Sequence, residues 1–264
     1  MPLTRSAVDA LGKRLAKSDA PTPEDLELLA QYRDEFRAAA AEVERVLAEE
    51  LGLMTKGTFE GFEVTVTPRP AKTFSTLIDK LRRPGSNLSS VQDVAGLRIV
   101  GSALMTLSDQ DRLRDVIVTR FPEAKVDDRR AIPSWGYRAV HIIPRIDGRR
   151  VEIQLRTHLQ DTWANAVESI GDLWGRWVRY GLPPEGPPDE IAVRASVVSD
   201  FIRLSDLWYE CEKAVLPLAE AKRMADMGDP DAARRADELR DVVSEPFRAA
   251  SKLLAKITAA MVSQ

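Results

Sequence analysis

The chain has 264 residues, 44% hydrophobic and 30% charged, with a formal net charge of −3, the composition of a globular protein of one large or two small domains rather than a disordered one. A single Cys211 excludes an intramolecular disulfide framework, and two histidines, His141 and His158, leave too few ligands for a Cys/His zinc site. No run approaches the roughly 18 apolar residues that span a bilayer, and the N-terminal MPLTRSAVDALGKR has no apolar signal core, so a cytoplasmic chain with no membrane contact is expected. The charge is segregated. Residues 61–157 carry 17 basic and 11 acidic side chains, a net +6 between flanks of −4 and −5, which suggests an anionic ligand at the centre.

Taken in chain order, Thr22-Pro23-Glu24-Asp25 is a helix start with Thr as N-cap and Pro at N1. Leu29, Tyr32, Phe36, Ala40, Val43, Leu47 and Leu51 then follow at 3–4 spacing, predicting one long amphipathic helix. From 62 to 157 the pattern becomes short strands, at 62–69, 96–101, 126–130, 138–146 and 149–156, with helices near 71–83 and 107–120. A helix from 158 to about 178 ends before the Pro/Gly-rich connector at 181–189. Two further apolar stripes follow: Val197, Phe201, Leu204, Trp208, Cys211 and Val215, then Leu239, Val243, Phe247, Ala250, Leu254, Ile257 and Met261, with a kink expected at Pro246. The fold class is α+β, a mixed sheet of about five strands flanked by helices, in four segments: 1–58 helical, 59–180 the α/β domain, 181–189 the connector and 190–264 a helical extension.

The stretch GYRAVHIIPRIDGRRVEIQLRT, 136–157, reads as a hairpin about Asp147-Gly148, because a type I′ turn needs positive φ at both central residues. Placing Ile146 opposite Arg149 sets Pro144 against Val151, Ile142 against Ile153 and Val140 against Leu155, an apolar face. The other face gathers Glu152, His141, Gln154 and Arg156, with Tyr137 just beyond. Such a face is either solvated or functional. Upstream, Lys72, Thr76 and Lys80 recur every four residues on one side of a helix, with Arg69 nearby, a face that is either simply wet or able to hold a polyphosphate. Asp93 opens a strand that contains Arg98, and is either a turn cap or, paired with Glu152, a carboxylate for Mg2+. No Walker-type loop or GxGxxG is present.

In order and spacing, Lys72-x3-Thr76-x3-Lys80, QDVAGLRIV, GYRAVH and VEIQLRT followed by LQDTWANAVE closely resemble the RelA/SpoT synthetase domain over about residues 60–180. The resemblance implies transfer of the β,γ-pyrophosphate of ATP to a ribose 3′-hydroxyl, with Mg2+ as cofactor. By motif it places Asp93 and Glu152 on the metal, with Gln154 and Arg156 completing the catalytic group; Arg69, Lys72, Lys80 and Arg98 on ATP; and Tyr137, Arg138, His141, Arg129 and Arg130 on the acceptor side. Pro70 stands where the family usually has a basic residue, and Pro133-Ser134-Trp135 where guanosine-specific members often have a lysine. No His-Asp pair is present, so a synthesis-only protein is implied. DDRR at 127–130, the GYRAVH form and WANAVESIGD look most like the small toxic synthetases, some of which modify the tRNA 3′ CCA end. That subgroup implies tRNA as acceptor and an antitoxin protein as partner. The broader family implies a (p)ppGpp or related alarmone synthetase using GDP, GTP or an adenosine nucleotide, and a homo-oligomer through terminal helices is compatible with both. An inactive nucleotide-binding regulatory module is the remaining alternative. A tRNA acceptor needs basic surface, for which Arg129, Arg130, Arg145, Arg149 and Arg150 are the candidates.

Overall fold

A computed structural model of the chain describes residues 2–17, 20–53, 57–59, 62–69, 71, 73–82, 85–91 and 94–262. It forms two compact units, the first comprising Met1–Val100, Leu113–Asp127 and His141–Leu155, the second Gly101–Arg112, Asp128–Val140 and Arg156–Gln264. Among the described residues, no helix is long and apolar enough to cross a membrane.

The first unit is built on α1 (Arg5–Lys17), α2 (Pro23–Leu51), α3 (Phe74–Leu81) and a six-stranded mixed sheet. Thr22 caps α2 as its sequence predicts, its hydroxyl accepting from the Asp25 amide, and Gly52 closes the helix at φ 66°, a left-handed conformation that glycine adopts without strain. The sheet order is β1 (Gly57–Phe59), β2 (Phe62–Arg69), β3 (Gly96–Gly101), β8 (Glu152–Arg156), β5 (Val140–Ile143) and β4 (Lys125–Asp128). The outermost β1, antiparallel to β2, is a strand beyond the five expected. Val8, Leu11, Leu15, Tyr32, Phe36, Leu77 and Leu88 pack into one core beneath the helices, and α1 is needed to close it.

The hairpin has the expected register: Ile146 pairs with Arg149 and Arg145 with Arg150, and Asp147 and Gly148 have φ of 47° and 78°. It is interrupted where proline enters. Because Pro144 has no N–H to give, the ladder splits into β5 and β6 (Arg145–Ile146) on one side, and into β7 (Arg149–Arg150) and β8 on the other. The Val151 amide still donates to the Pro144 carbonyl at 3.0 Å, holding the register across the break.

In the second unit, α5 (His158–Trp174), α6 (Trp177–Tyr180), α7 (Ile191–Asp226) and α8 (Pro230–Val262) pack around Trp163, Ile170, Trp177, Phe201 and Ile257. The stripe on α7 is the expected one as far as Cys211; Val215 is exposed and Ala214 takes its place inside. On α8 the buried positions Ala236, Ala250 and Ile257 fit a seven-residue repeat, whereas Phe247 and Leu254, expected inside, face solvent. The large apolar side chains mislead at those turns because α8 supplies mainly small alanines to the seam. Both Pro217 and Pro246 lie within continuous helices.

Candidate active site

Along β8, Glu152, Gln154 and Arg156 alternate with Ile153 and Leu155, so the polar three share one side of the strand. All five are buried, as is His141 on the neighbouring β5. The polar face of the hairpin is therefore not the wet exterior of an amphipathic ribbon, and buried charges of this kind must be partnered.

In the first unit the partners converge on Glu152. Its Oε2 accepts from Arg69 Nη1 at 3.2 Å and from Gln154 Nε2 at 2.8 Å, and its Oε1 lies 3.2 Å from His141 Nδ1. Burial pushes the Glu152 carboxyl up, but His141 close beside it, the Gln154 amide and the Arg69 charge outweigh that and hold it at about 2. Glu152 is thus an anion at any physiological pH, suited to holding positive charge and poorly suited to accepting a proton. Gly96 of β3 lies directly against the Glu152 backbone; a Cβ there would overlap the Glu152 carbonyl oxygen, so only glycine lets the two strands come this close. Arg98 follows on β3, half-buried, on the opposite side from the fully buried Leu97 and Ile99. Lys80 is half-buried in the last turn of α3. Lys72 and Asp93 lie outside the described residues.

In the second unit, Arg156 is 2% exposed; its Nη1 donates to Asp161 at 2.8 Å and its Nη2 to the Tyr137 hydroxyl at 3.1 Å, with the guanidinium 5.1 Å from the Tyr137 ring centroid. Burial pulls the Arg156 guanidinium down, but Tyr137 and Asp161 more than restore its affinity for the proton. Asp161, one turn into α5, is a partner that spacing alone did not reveal. Thr157 caps α5 in a reciprocal capping box with Gln160, a T-x-x-Q signature legible at 157–160, and its hydroxyl also donates to Glu212 of α7.

Two arginines expected on the acceptor side are engaged inside the protein. Arg130 is buried and donates to Asp128 through Nε at 3.0 Å and to Asp111 through Nη2 at 2.6 Å. Arg138 is buried against Ser205 at 3.1 Å, Asp206 at 2.5 Å and the Tyr209 ring, 4.4 Å from its centroid. These side chains brace loop 128–140 against α4 (Leu107–Arg120) and α7, and Arg130 adds no charge to the outer surface. Arg129 is half-buried and ties the loop to Ala139 through its backbone amide. At the loop's tip, Trp135 and Gly136 have φ of 53° and 82°, and the Tyr137 amide donates to the Ser134 carbonyl at 3.0 Å. This is a type I′ turn with tryptophan where asparagine or glycine is usual. The indole covers Gly181, where a Cβ would overlap it, and leaves its other side open to solvent.

The described residues include no group of three or more His, Cys, Asp or Glu able to hold a metal ion, so no all-protein metal cage is built from them. In the first unit the cluster they form offers the ionised carboxylate of Glu152. That fits Mg2+, which is usually held by one or two carboxylates together with substrate phosphates.

Residues 69–170 match the family described as the region found in RelA / SpoT proteins. The chain is 37% identical over 167 residues to uncharacterized proteins of Mycobacterium tuberculosis and Mycobacterium bovis, a match covering 59% of this chain and 60% of theirs. It thus spans less than two thirds of the length of the curated relatives it matches. Among solved structures it is similar to small alarmone synthetase 1 from Bacillus subtilis bound to its product pppGpp, with 20% identity, TM-score 0.47, and coverage of 83% of this chain and 98% of that one. A GTP pyrophosphokinase family protein from Streptococcus pneumoniae is similar too, with 18% identity, TM-score 0.46, and coverage of 82% and 98%. Residues 69–170, the stretch that matches the RelA/SpoT region, hold the Glu152 cluster and the Arg156–Tyr137 pair.

Proposed function

We propose that the protein is an ATP-dependent pyrophosphotransferase that moves the β,γ-pyrophosphate of ATP to a ribose 3′-hydroxyl. The observation that carries this reading is Glu152, a buried carboxylate held ionised inside the RelA/SpoT region by Arg69, His141 and Gln154. Transfer of a phosphoryl group asks the protein chiefly for positioning and charge neutralisation, and this cluster supplies fixed charge at defined positions. Glu152, with Asp93, would hold a Mg2+ that, when bound, offsets the negative charge of the phosphates. Arg69, Lys72, Lys80 and Arg98 would bind ATP, and Tyr137 the acceptor base, its ring kept in place by Arg156.

For the acceptor, a guanosine or adenosine mononucleotide, giving an alarmone, is the reading favoured by Arg130. With its guanidinium committed to Asp128 and Asp111, the exterior loses one of the charges a tRNA track would use. Transfer to a tRNA 3′ end, with a toxin role and a neutralising protein partner, is the second reading, and Trp135 favours it: an exposed ring two residues from Tyr137 suits a second unpaired base. One experiment tests both. The purified protein is incubated with γ-³²P-labelled ATP and, separately, GDP, GTP, AMP, ATP and deacylated tRNA, and the label is followed. Label in a mononucleotide identifies an alarmone synthetase, label in tRNA a tRNA-modifying enzyme, and label in none defeats the pyrophosphotransferase reading.

A further inference from the structure

Within the first unit a cavity of about 290 Å3 opens between α1, α2 and the β6–β7 hairpin, and it shares no residue with the Glu152 cluster. Val8 and Phe36 line it together with Arg5, Arg145, Arg149 and Arg150. Arg149 is neutralised by Glu35, accepting through Oε2, and is anchored on the Leu3 carbonyl at 2.8 Å. The other three are not matched in this way. Arg145 and Arg150 face each other directly across the two-stranded ladder, and among the described residues neither has an ion-pair or hydrogen-bond partner for its side chain. Like charges directly opposite on neighbouring strands, with Cβ atoms roughly 5 Å apart, repel. Arg5 adds a third positive charge in the first turn of α1, where the helix dipole already disfavours cations, and its nearest acid, Asp9, is 4.0 Å away.

We propose that this cavity is a binding site for a small multivalent phosphoryl anion, such as pyrophosphate or the polyphosphate of a nucleotide. Two arginines at directly paired positions lining one cavity can both turn their guanidinium forks to an anion with several oxygens, and the planar fork is suited to phosphate. The volume lies at the lower end of small-molecule pockets, which fits a compact anion and not a nucleic-acid duplex. The anion relieves the Arg145–Arg150 repulsion, so binding and hairpin stability are linked.

The test uses the full chain at low salt, with thermal melts and calorimetric titration of pyrophosphate, ATP and a single-stranded RNA oligonucleotide against the parent, Arg145→Ala and Arg150→Ala. Without anion, each variant is expected to melt at or above the parent, because one of two repelling charges is gone. With pyrophosphate, the parent gains stability, and each variant loses most of that gain and binds at least about tenfold more weakly, a change of ~1.4 kcal/mol. A matching loss with ATP identifies a nucleotide polyphosphate as an equally good occupant, while a loss confined to pyrophosphate identifies the inorganic anion. Identical gains and affinities in parent and variants overturn the site, as do variants that melt below the parent in anion-free buffer. A response to RNA alone overturns the small-anion assignment. No arm depends on pyrophosphate transfer, so failure here and failure of the proposed activity are separate results.

Discussion

His141 Nδ1 stands 3.2 Å from Glu152 Oε1, a pairing between neighbouring strands β5 and β8 that keeps a buried carboxylate charged. Glu152→Gln keeps the size and an acceptor but removes the charge. Transfer is expected to fall by at least 10²-fold, about 2.7 kcal/mol of transition-state stabilisation, when assayed well below the variant's own melting temperature, which also drops because Arg69 and His141 lose their buried counter-charge. Asp93→Ala is expected to lower transfer to a similar extent. Activity within about tenfold of the parent in either variant would falsify their roles.

Glu212 gives a stability prediction with a definite sign. Burial pushes its carboxyl up, and the hydrogen bonds of Thr157 and Gln160 with the charges of Arg138 and Arg130 only partly offset this. A carboxyl raised on folding contributes stability that is complete below its ordinary value near 4.5 and is lost as pH rises through the folded value. Glu212→Gln, which keeps an acceptor for the Thr157 hydroxyl, is expected to flatten that part of the pH–stability curve. At pH 8 it should raise the melting temperature by roughly 2–4 °C, corresponding to about 1 kcal/mol. A lower melting temperature at pH 8 would show that the ionised carboxylate is the stabilising form.

Trp135 and Gly181 make a pair suited to a double-mutant cycle. Gly181→Ala forces a Cβ into the indole at a backbone φ of 59°, and should cost about 1–3 kcal/mol in urea unfolding. In Trp135→Gly the clash is gone, leaving only the backbone part of the cost. An unchanged cost in that background would mean that the indole does not cover Gly181.

The engagement of Arg130 separates it from its neighbour. Arg130→Glu places a carboxylate beside Asp128 and Asp111 in a buried setting and should destabilise by at least about 3 kcal/mol, seen as a large drop in melting temperature. Arg129, half-buried rather than buried, should shift it less on reversal to Glu than Arg130 does. A tRNA track is therefore best probed through Arg129 alone, because the double reversal confounds binding with unfolding.

Much of this was legible along the chain because local physics fixed it. Thr22-Pro23 marked the start of α2, and Asp147-Gly148 fixed a register that put Glu152, Gln154 and Arg156 on one side of β8. What sequence periodicity could not give was the far end of each interaction. Arg130 read as surface charge because nothing local indicates that Asp111, nineteen residues earlier in the chain, closes over it. Arg145 and Arg150 likewise read as part of a basic surface, since the helices that form the rest of their cavity begin far upstream. The Thr157–Gln160 capping box is a local signature, whereas the bond from Thr157 to Glu212 joins residues 55 apart.

The seam between α7 and α8 changes character along its length, and that sets where the second unit opens first. Near Phe201, Leu204 and Ile257 it is anchored by Trp163 and Ile170 of α5, whereas toward Gly228 the buried contacts are Ala221, Ala232 and Ala236, with Met227 exposed. Helices of 36 and 33 residues run for about 50 Å at 1.5 Å per residue, so the two ends can fluctuate almost independently. Backbone amides should thus exchange with solvent along a gradient, fastest around 221–236 and slowest beside Trp163, so that the hairpin frays from its tip while its base stays closed.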